Sequence, residues 1–104
     1  MINSIVGQST KLKGDFEIDG ILRIDGVFEG SVKGQTDVLI GEKGQAFFDL
    51  DANQITIGGY VEGKIRVNGK LTILSTGTLK GSVQAKNIIV EPGALLFANC
   101  KMIS

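Results

Sequence analysis

The feature that most limits how this chain can fold is a repeat of 16 or 17 residues that runs from one end to the other. Apolar pairs separated by one residue begin at Leu22, Val38, Ile55, Leu71 and Ile88. A degenerate first copy begins at Ile5, where Gly7 takes the second apolar place, and the steps are 17, 16, 17, 16 and 17. Each copy then offers a second anchor, of the form apolar-x-Gly-x-apolar. It reads Leu12-Lys13-Gly14-Asp15-Phe16, Phe28-Glu29-Gly30-Ser31-Val32, Val61-Glu62-Gly63-Lys64-Ile65 and Leu79-Lys80-Gly81-Ser82-Val83. The third copy carries Phe48 in place of the glycine and the last carries Ala98. Alternation continues for one more inward place, at Ile18, Gly34, Ala52, Val67, Ala85 and Met102. Period-two alternation in runs this short marks strands, and no segment has the period of an amphipathic helix.

Turn residues separate the strands. Asp25-Gly26 and Gly58-Gly59 make short corners, while Glu42-Lys43-Gly44, Ser75-Thr76-Gly77 and Glu91-Pro92-Gly93 make longer ones. Asn68-Gly69 is a further corner of the kind that tolerates positive φ. Hairpins use such dipeptides too. A meander, however, gives no reason for the same inward residue types to return every 16 or 17 positions. A solenoid does, because each coil lies on its neighbour and reuses the same interior slots. The expectation is therefore an all-β, parallel β-solenoid of about six coils and roughly triangular section, one domain over residues 1–104.

Aligning the copies predicts three interior columns: Leu22, Val38, Ile55, Leu71, Ile88; Ile24, Ile40, Ile57, Ile73, Val90; and Phe16, Val32, Leu50, Ile65, Val83, Cys100. It also predicts that Val6, Leu39 and Ile89 share an outward column. Another outward position reads Glu17, Lys33, Asp51, Arg66, Gln84, Lys101, and its signs alternate over the first four coils. Stacked neighbours require that if like charges are not to face each other. The same logic places Lys13 over Glu29, Asp49 over Lys64 and Glu62 over Lys80. Phe48 is expected inside, in space left by Gly30 and Gly63, and Cys100 is read as a small buried residue.

Composition narrows the function. Fifteen glycines against one proline suit repeated turns and crowded points, and 42% apolar residues argue against disorder. Eleven basic residues balance eleven acidic ones, so net charge supplies no general attraction to nucleic acid or anionic lipid. With no histidine there is no imidazole metal site and no histidine-based triad. One cysteine makes neither a disulfide framework nor a thiolate cluster. The glycines form no phosphate-binding motif, and the carboxylates show no catalytic pairing. Neither a catalytic residue nor a cofactor or metal site is predicted. The opening Met1-Ile2-Asn3-Ser4-Ile5-Val6-Gly7 lacks the basic and apolar segments of a secretory signal. No apolar run approaches the ~20 residues that span a bilayer, so the expected location is the cytoplasm.

Solenoid ends remain. A β-helix cannot close on itself, so its first and last coils present open ladders and exposed core columns unless capped. Met1, Ile2, Ile5 and Val6 crowd the beginning, and Leu95, Leu96, Phe97, Met102 and Ile103 the finish. No helix is predicted to cover either. The expected cover is another copy of the chain, joined at both ends into an open filament without nucleotide. Ile5, Leu12, Phe16, Leu96, Met102 and Ile103 are the interface candidates, and Met1, Ile2, Val6 and Phe47 are candidates for membrane or lateral contact.

Several stretches resemble the bactofilins, bacterial polymer-forming cytoskeletal proteins. They are Ser4-Ile5-Val6-Gly7, Leu22 to Gly30, Val38-Leu39-Ile40-Gly41, and Glu91-Pro92-Gly93-Ala94. Within Phe97-Ala98-Asn99-Cys100-Lys101-Met102, the stretch Ala98 to Met102 is similar to the Gly-x-Cys-x-Met that closes the family's Phe-x-Gly-x-Cys-x-Met, with Ala98 where that pattern has glycine. The resemblance implies a right-handed parallel β-helix that polymerises through its ends into nonpolar filaments. It implies a contact role for Phe97, and scaffolds at the inner membrane surface that position cell-wall synthetic or hydrolytic enzymes. Long disordered tails that often flank the family's rod are not evident in this sequence. Two other readings are a non-polymerising solenoid that serves as a binding module, and a hexapeptide-repeat acyltransferase. The second calls for six-residue periodicity and usually a histidine, and this chain has neither.

Overall fold

Each short run of alternating residues has one apolar face, and the run one repeat away is the surface that matches it in length and pattern. The computed structural model describes residues 3–7 and 10–102, and for residues 3–6 and 102 the backbone alone. It contains β1 (Asn3–Val6), β2 (Lys11–Glu17), β3 (Gly20–Ile24), β4 (Val27–Lys33) and β5 (Thr36–Ile40). These are followed by β6 (Gln45–Ala52), β7 (Gln54–Ile57), β8 (Tyr60–Ile73), β9 (Thr78–Val90) and β10 (Leu95–Met102). Every pairing among them is parallel. One ladder runs β1, β3, β5, β7, then residues 70–73 of β8 and 87–90 of β9. The other runs β2, β4, β6, residues 60–67 of β8, 78–85 of β9, and β10. The expected six coils correspond to six rungs on each ladder. Five coil-to-coil steps separate them, so the chain winds about five turns.

Corner lengths explain the repeat. After Ile24 and Ile57 two residues precede the next strand; after Ile40, Ile73 and Val90 four do. The long corners are tight turns, in which Gly44 N donates to Gly41 O at 2.8 Å and Gly77 N to Leu74 O at 2.8 Å. A coil with a short first corner spends two residues on its last corner, as at Gly34-Gln35, and totals 16; one with a long first corner spends one, as at Asn53, and totals 17. The first coil departs from the expected step. Four residues separate β1 from β2, and the two-residue corner Ile18-Asp19 separates β2 from β3. Ser4 therefore stacks on Leu22 and Val6 on Ile24, a step of 18, and Ile5 stacks on Arg23. Val6 thus lies in register with a buried column, not with Leu39 and Ile89 as expected.

The three predicted interior columns hold in register throughout. A fourth column, Leu12, Phe28, Ala46, Val61, Leu79, Leu96, is also interior, and the further inward place stacks Ala52, Val67 and Ala85, all fully buried. Gly14, Gly30, Gly63 and Gly81 sit in mid-strand at positive φ, and their turn divides each long strand into two straight runs. The section is consequently three-sided. A Cβ at Gly30 would meet the carbonyl oxygen of Gly14 on the rung beside it. Backbone conformation and the close approach of rungs, rather than interior crowding, keep this column glycine. Gly69, expected at positive φ, does not adopt it, and lies at a register irregularity between Val67 and Lys70.

Phe48 is inside as expected, stacked on Gly30, and a second residue adds to its room. Its ring lies 5.6 Å from that of Phe28, edge to face, and Phe28 in turn lies 5.5 Å from Phe16. Ala46 stacks directly on Phe28 and is the smallest member of its column. The third coil has exchanged a large residue followed by glycine for alanine followed by phenylalanine, moving the bulk two places along while keeping the interior filled.

Candidate polymer interface

Each ladder ends in rungs with a neighbour on one side only among the described residues: β1 and β2 at one end, residues 87–90 of β9 and β10 at the other. Along the strand edges that face away from the rod, backbone N–H and C=O groups have no ladder partner, a ready template for a further strand. The core columns open at the same place. Ile24, Ile40, Ile57 and Ile73 are sealed, yet Val90, next in that column, is 43% exposed. Ile88 and Leu96 are half-buried where Leu71 and Leu79 above them are sealed. Leu95 and Phe97 are 51% and 60% exposed. An apolar, unpaired rung is a surface built like the interior of the rod.

The candidate residues fall into distinct places. Leu12 and Phe16 lie on the N-terminal rung, half-buried against the core, and Leu96 on the C-terminal rung. Phe97 points to the side of that rung, with the Lys80 ammonium 5.9 Å from its ring centre. Met1, Ile2 and Ile103 lie outside the described residues, and so do the side chains of Ile5, Val6 and Met102. Phe47 is half-buried on a flank of the rod, its ring 5.7 Å from that of Tyr60, and Lys80 reaches that Tyr60 ring at 5.6 Å. The Lys80 ammonium thus bridges two aromatic rings of neighbouring coils.

Cys100 overturns an expectation. It continues the Val83 column but is exposed, because no rung among the described residues stacks on its outer side. Ile88, Val90 and Cys100 are end-surface residues that column membership alone conceals. The signal for them is being the last member of an inward column.

The outward columns are in the predicted register, but their ion pairs are sparse. Lys13 Nζ lies 3.4 Å from Glu29 Oε2, with Lys11 also on that carboxylate at 3.7 Å. The pairs expected at Glu17 and Lys33, Asp51 and Arg66, Asp49 and Lys64, and Glu62 and Lys80 are not closed among the described residues. Register sets which rungs adjoin; long exposed side chains then choose between each other, water and nearby rings.

A family model described as bactofilin, polymer-forming cytoskeletal, matches residues 4–101. The chain belongs to the bactofilin family. It is 24% identical over 102 residues to bactofilin BacO of Myxococcus xanthus (strain DK1622), covering 98% of this chain and 81% of that protein. Its fold is also similar to a Thermus thermophilus bactofilin solved by cryo-EM as double helical filaments. That match has a TM-score of 0.89 and 26% identity, over 96% of this chain and 99% of the other. The family's description as polymer-forming fits a bactofilin whose terminal rungs leave both ladder and core columns open.

Proposed function

We propose that this bactofilin is the subunit of a cytoplasmic scaffold filament, growing end to end without nucleotide and performing no catalysis of its own. One observation carries the reading: the terminal rungs expose inward columns and unpaired strand edges together, and a second copy satisfies both at once. Association there removes apolar area from water and continues the ladder. Nothing in such a contact calls for a nucleotide, because the driving force is present in every folded subunit. The filaments are nonpolar, with like ends meeting, and they hold cell-wall synthetic or hydrolytic enzymes near the inner membrane surface. The family resemblance supports these last features, and Met1, Ile2 and Phe47 are the proposed membrane or lateral contacts, whereas Val6, in register with the buried Ile24, is not among them.

Negative-stain microscopy and sedimentation of the purified chain, in buffer free of nucleotide, test the proposal. Long filaments are expected, and Phe97→Arg is expected to leave folded, short or single rods. Wild-type protein that remains monomeric at high concentration would overturn the reading.

A further inference from the structure

One face of the rod carries its charges in an order that the other two lack. It is formed by the outward residues that follow the mid-strand turn on each rung of the second ladder. On the first three rungs it presents Asp15 and Glu17, then Lys33, then Asp49 and Asp51, a net charge of −3. On the last three it presents Lys64 and Arg66, then no charge, then Lys101, a net charge of +3. All eight side chains are exposed, and none takes part in an ion pair among the described residues. The sole side-chain hydrogen bond there is from Ser31 Oγ to Asp15 Oδ1, at 2.8 Å. A shallow depression at the middle is lined by Lys33, Asp49, Asp51, Lys64 and Arg66 among others.

Neither neighbouring face is divided in this way. Lys11, Lys13 and Glu29 give the first half of one face +1, and Glu62 with Lys80 balance its second half. On the other, Arg23 balances Asp37 and Lys70 stands alone. A surface of one sign would suit a polyanion or a lipid headgroup. This one sums to zero with its signs segregated along the rod, so its electrostatic complement is the same face turned end for end.

We propose that this charge-divided face docks on the same face of a second copy of the chain, antiparallel, about a two-fold axis between the third and fourth rungs. Every opposition of charged rungs is then attractive. Asp49 and Asp51 meet the partner's Lys64 and the partner's Arg66, and by symmetry the reverse. Asp15 and Glu17 meet the rung that carries the partner's Lys101. Parallel, in-register docking would instead set like on like. The contact is isologous and polar, so its strength depends on ionic strength. In a filament the same weak pairing repeats with every copy and gains by avidity. Because it uses a side face, it is independent of end-to-end growth.

The test is filament width against filament length, by mass-per-length electron microscopy at about 50 mM and about 1 M salt. Paired filaments are expected at low salt. At high salt mass per length should fall about twofold, while length, set by the apolar end contacts, persists. The reversals Asp49→Lys/Asp51→Lys and Lys64→Asp/Arg66→Asp should each give single filaments at low salt, and all four changes together should restore pairing. Single wild-type filaments at low salt, paired filaments from either double reversal, or no rescue by the fourfold exchange would overturn the proposal. If end contacts fail and no filament grows, sedimentation equilibrium decides it: a salt-sensitive dimer supports the face, and a monomer under all conditions sinks it.

Discussion

The middle coils and the last coil are made of the same kinds of residue in the same columns, yet they behave differently. Ile73 is sealed and Val90, one rung on, is 43% exposed; Val83 is buried and Cys100 is not. Side-chain chemistry alone does not explain this, since valine is as apolar in one coil as in another. Whether a further rung exists decides it. In a solenoid the interior is completed by the neighbouring coil, so an end is an interior missing half its partners. That asymmetry separates residues that hold the rod together from residues that join rods.

The largest expected effect falls on the middle. Phe48 is buried with its ring against Phe28, so Phe48→Ala removes a filled volume that no solvent can reach without opening the rod. A loss of about 3–5 kcal/mol is expected. Denaturant unfolding on the Phe97→Arg background checks it free of the stabilisation that assembly itself provides. Ala46→Phe/Phe48→Gly restores the pattern of the neighbouring coils and should recover most of that loss. If the double variant is no better than Phe48→Ala, the exchange of bulk between Ala46 and Phe48 is not what fills this coil.

Val90→Glu makes the complementary change at the end. It places a charge on a half-exposed column end, where an isolated rod can leave it in water. Unfolding should shift by no more than about 0.5 kcal/mol, as is usual at surface positions. Joining to another copy would bury the carboxylate, so filament formation should fail by sedimentation. A variant that unfolds readily, or that still makes long filaments, would break the division between middle and end.

How far the sequence carried these distinctions depends on what repetition can specify. Interior columns were legible because every coil states the same slot again, and the five regular apolar pairs fix one another's alignment. The first copy had no such correction. Ile5 and Gly7 mimic the paired anchor, and the step of 18 from Ser4 to Leu22 and from Val6 to Ile24 departs from the 16 or 17 of the other copies. Cys100 was misassigned because a column says which way a residue faces, not whether anything lies there to cover it. Phe48 is legible as an inside residue from its glycine neighbours, but the part played by Ala46 in the same coil, which stacks on Phe28 beside the Phe48 ring, is not. The split charge of the side face was present in the sequence, but it becomes visible only when outward residues are summed by rung instead of read along one column.

The smallest effect sharpens the same contrast on the surface. Glu29, in the second coil, accepts both Lys11 and Lys13, whereas Glu62, in the fourth, has Lys80 as its registered neighbour without a closed ion pair. Lys80 lies instead near the Tyr60 and Phe97 rings. Removing the charge with Glu29→Gln should cost about 0.2–1 kcal/mol at low salt, at the lower end because the lysines are mostly in solvent, and nothing measurable at about 1 M. Glu62→Gln should cost nothing at either ionic strength. Equal losses from the two substitutions would mean that adjacency in the ladder, rather than the ion pair itself, carries the stabilisation. The charge alternation would then be a device of register throughout the rod, with no local bond behind it in either coil.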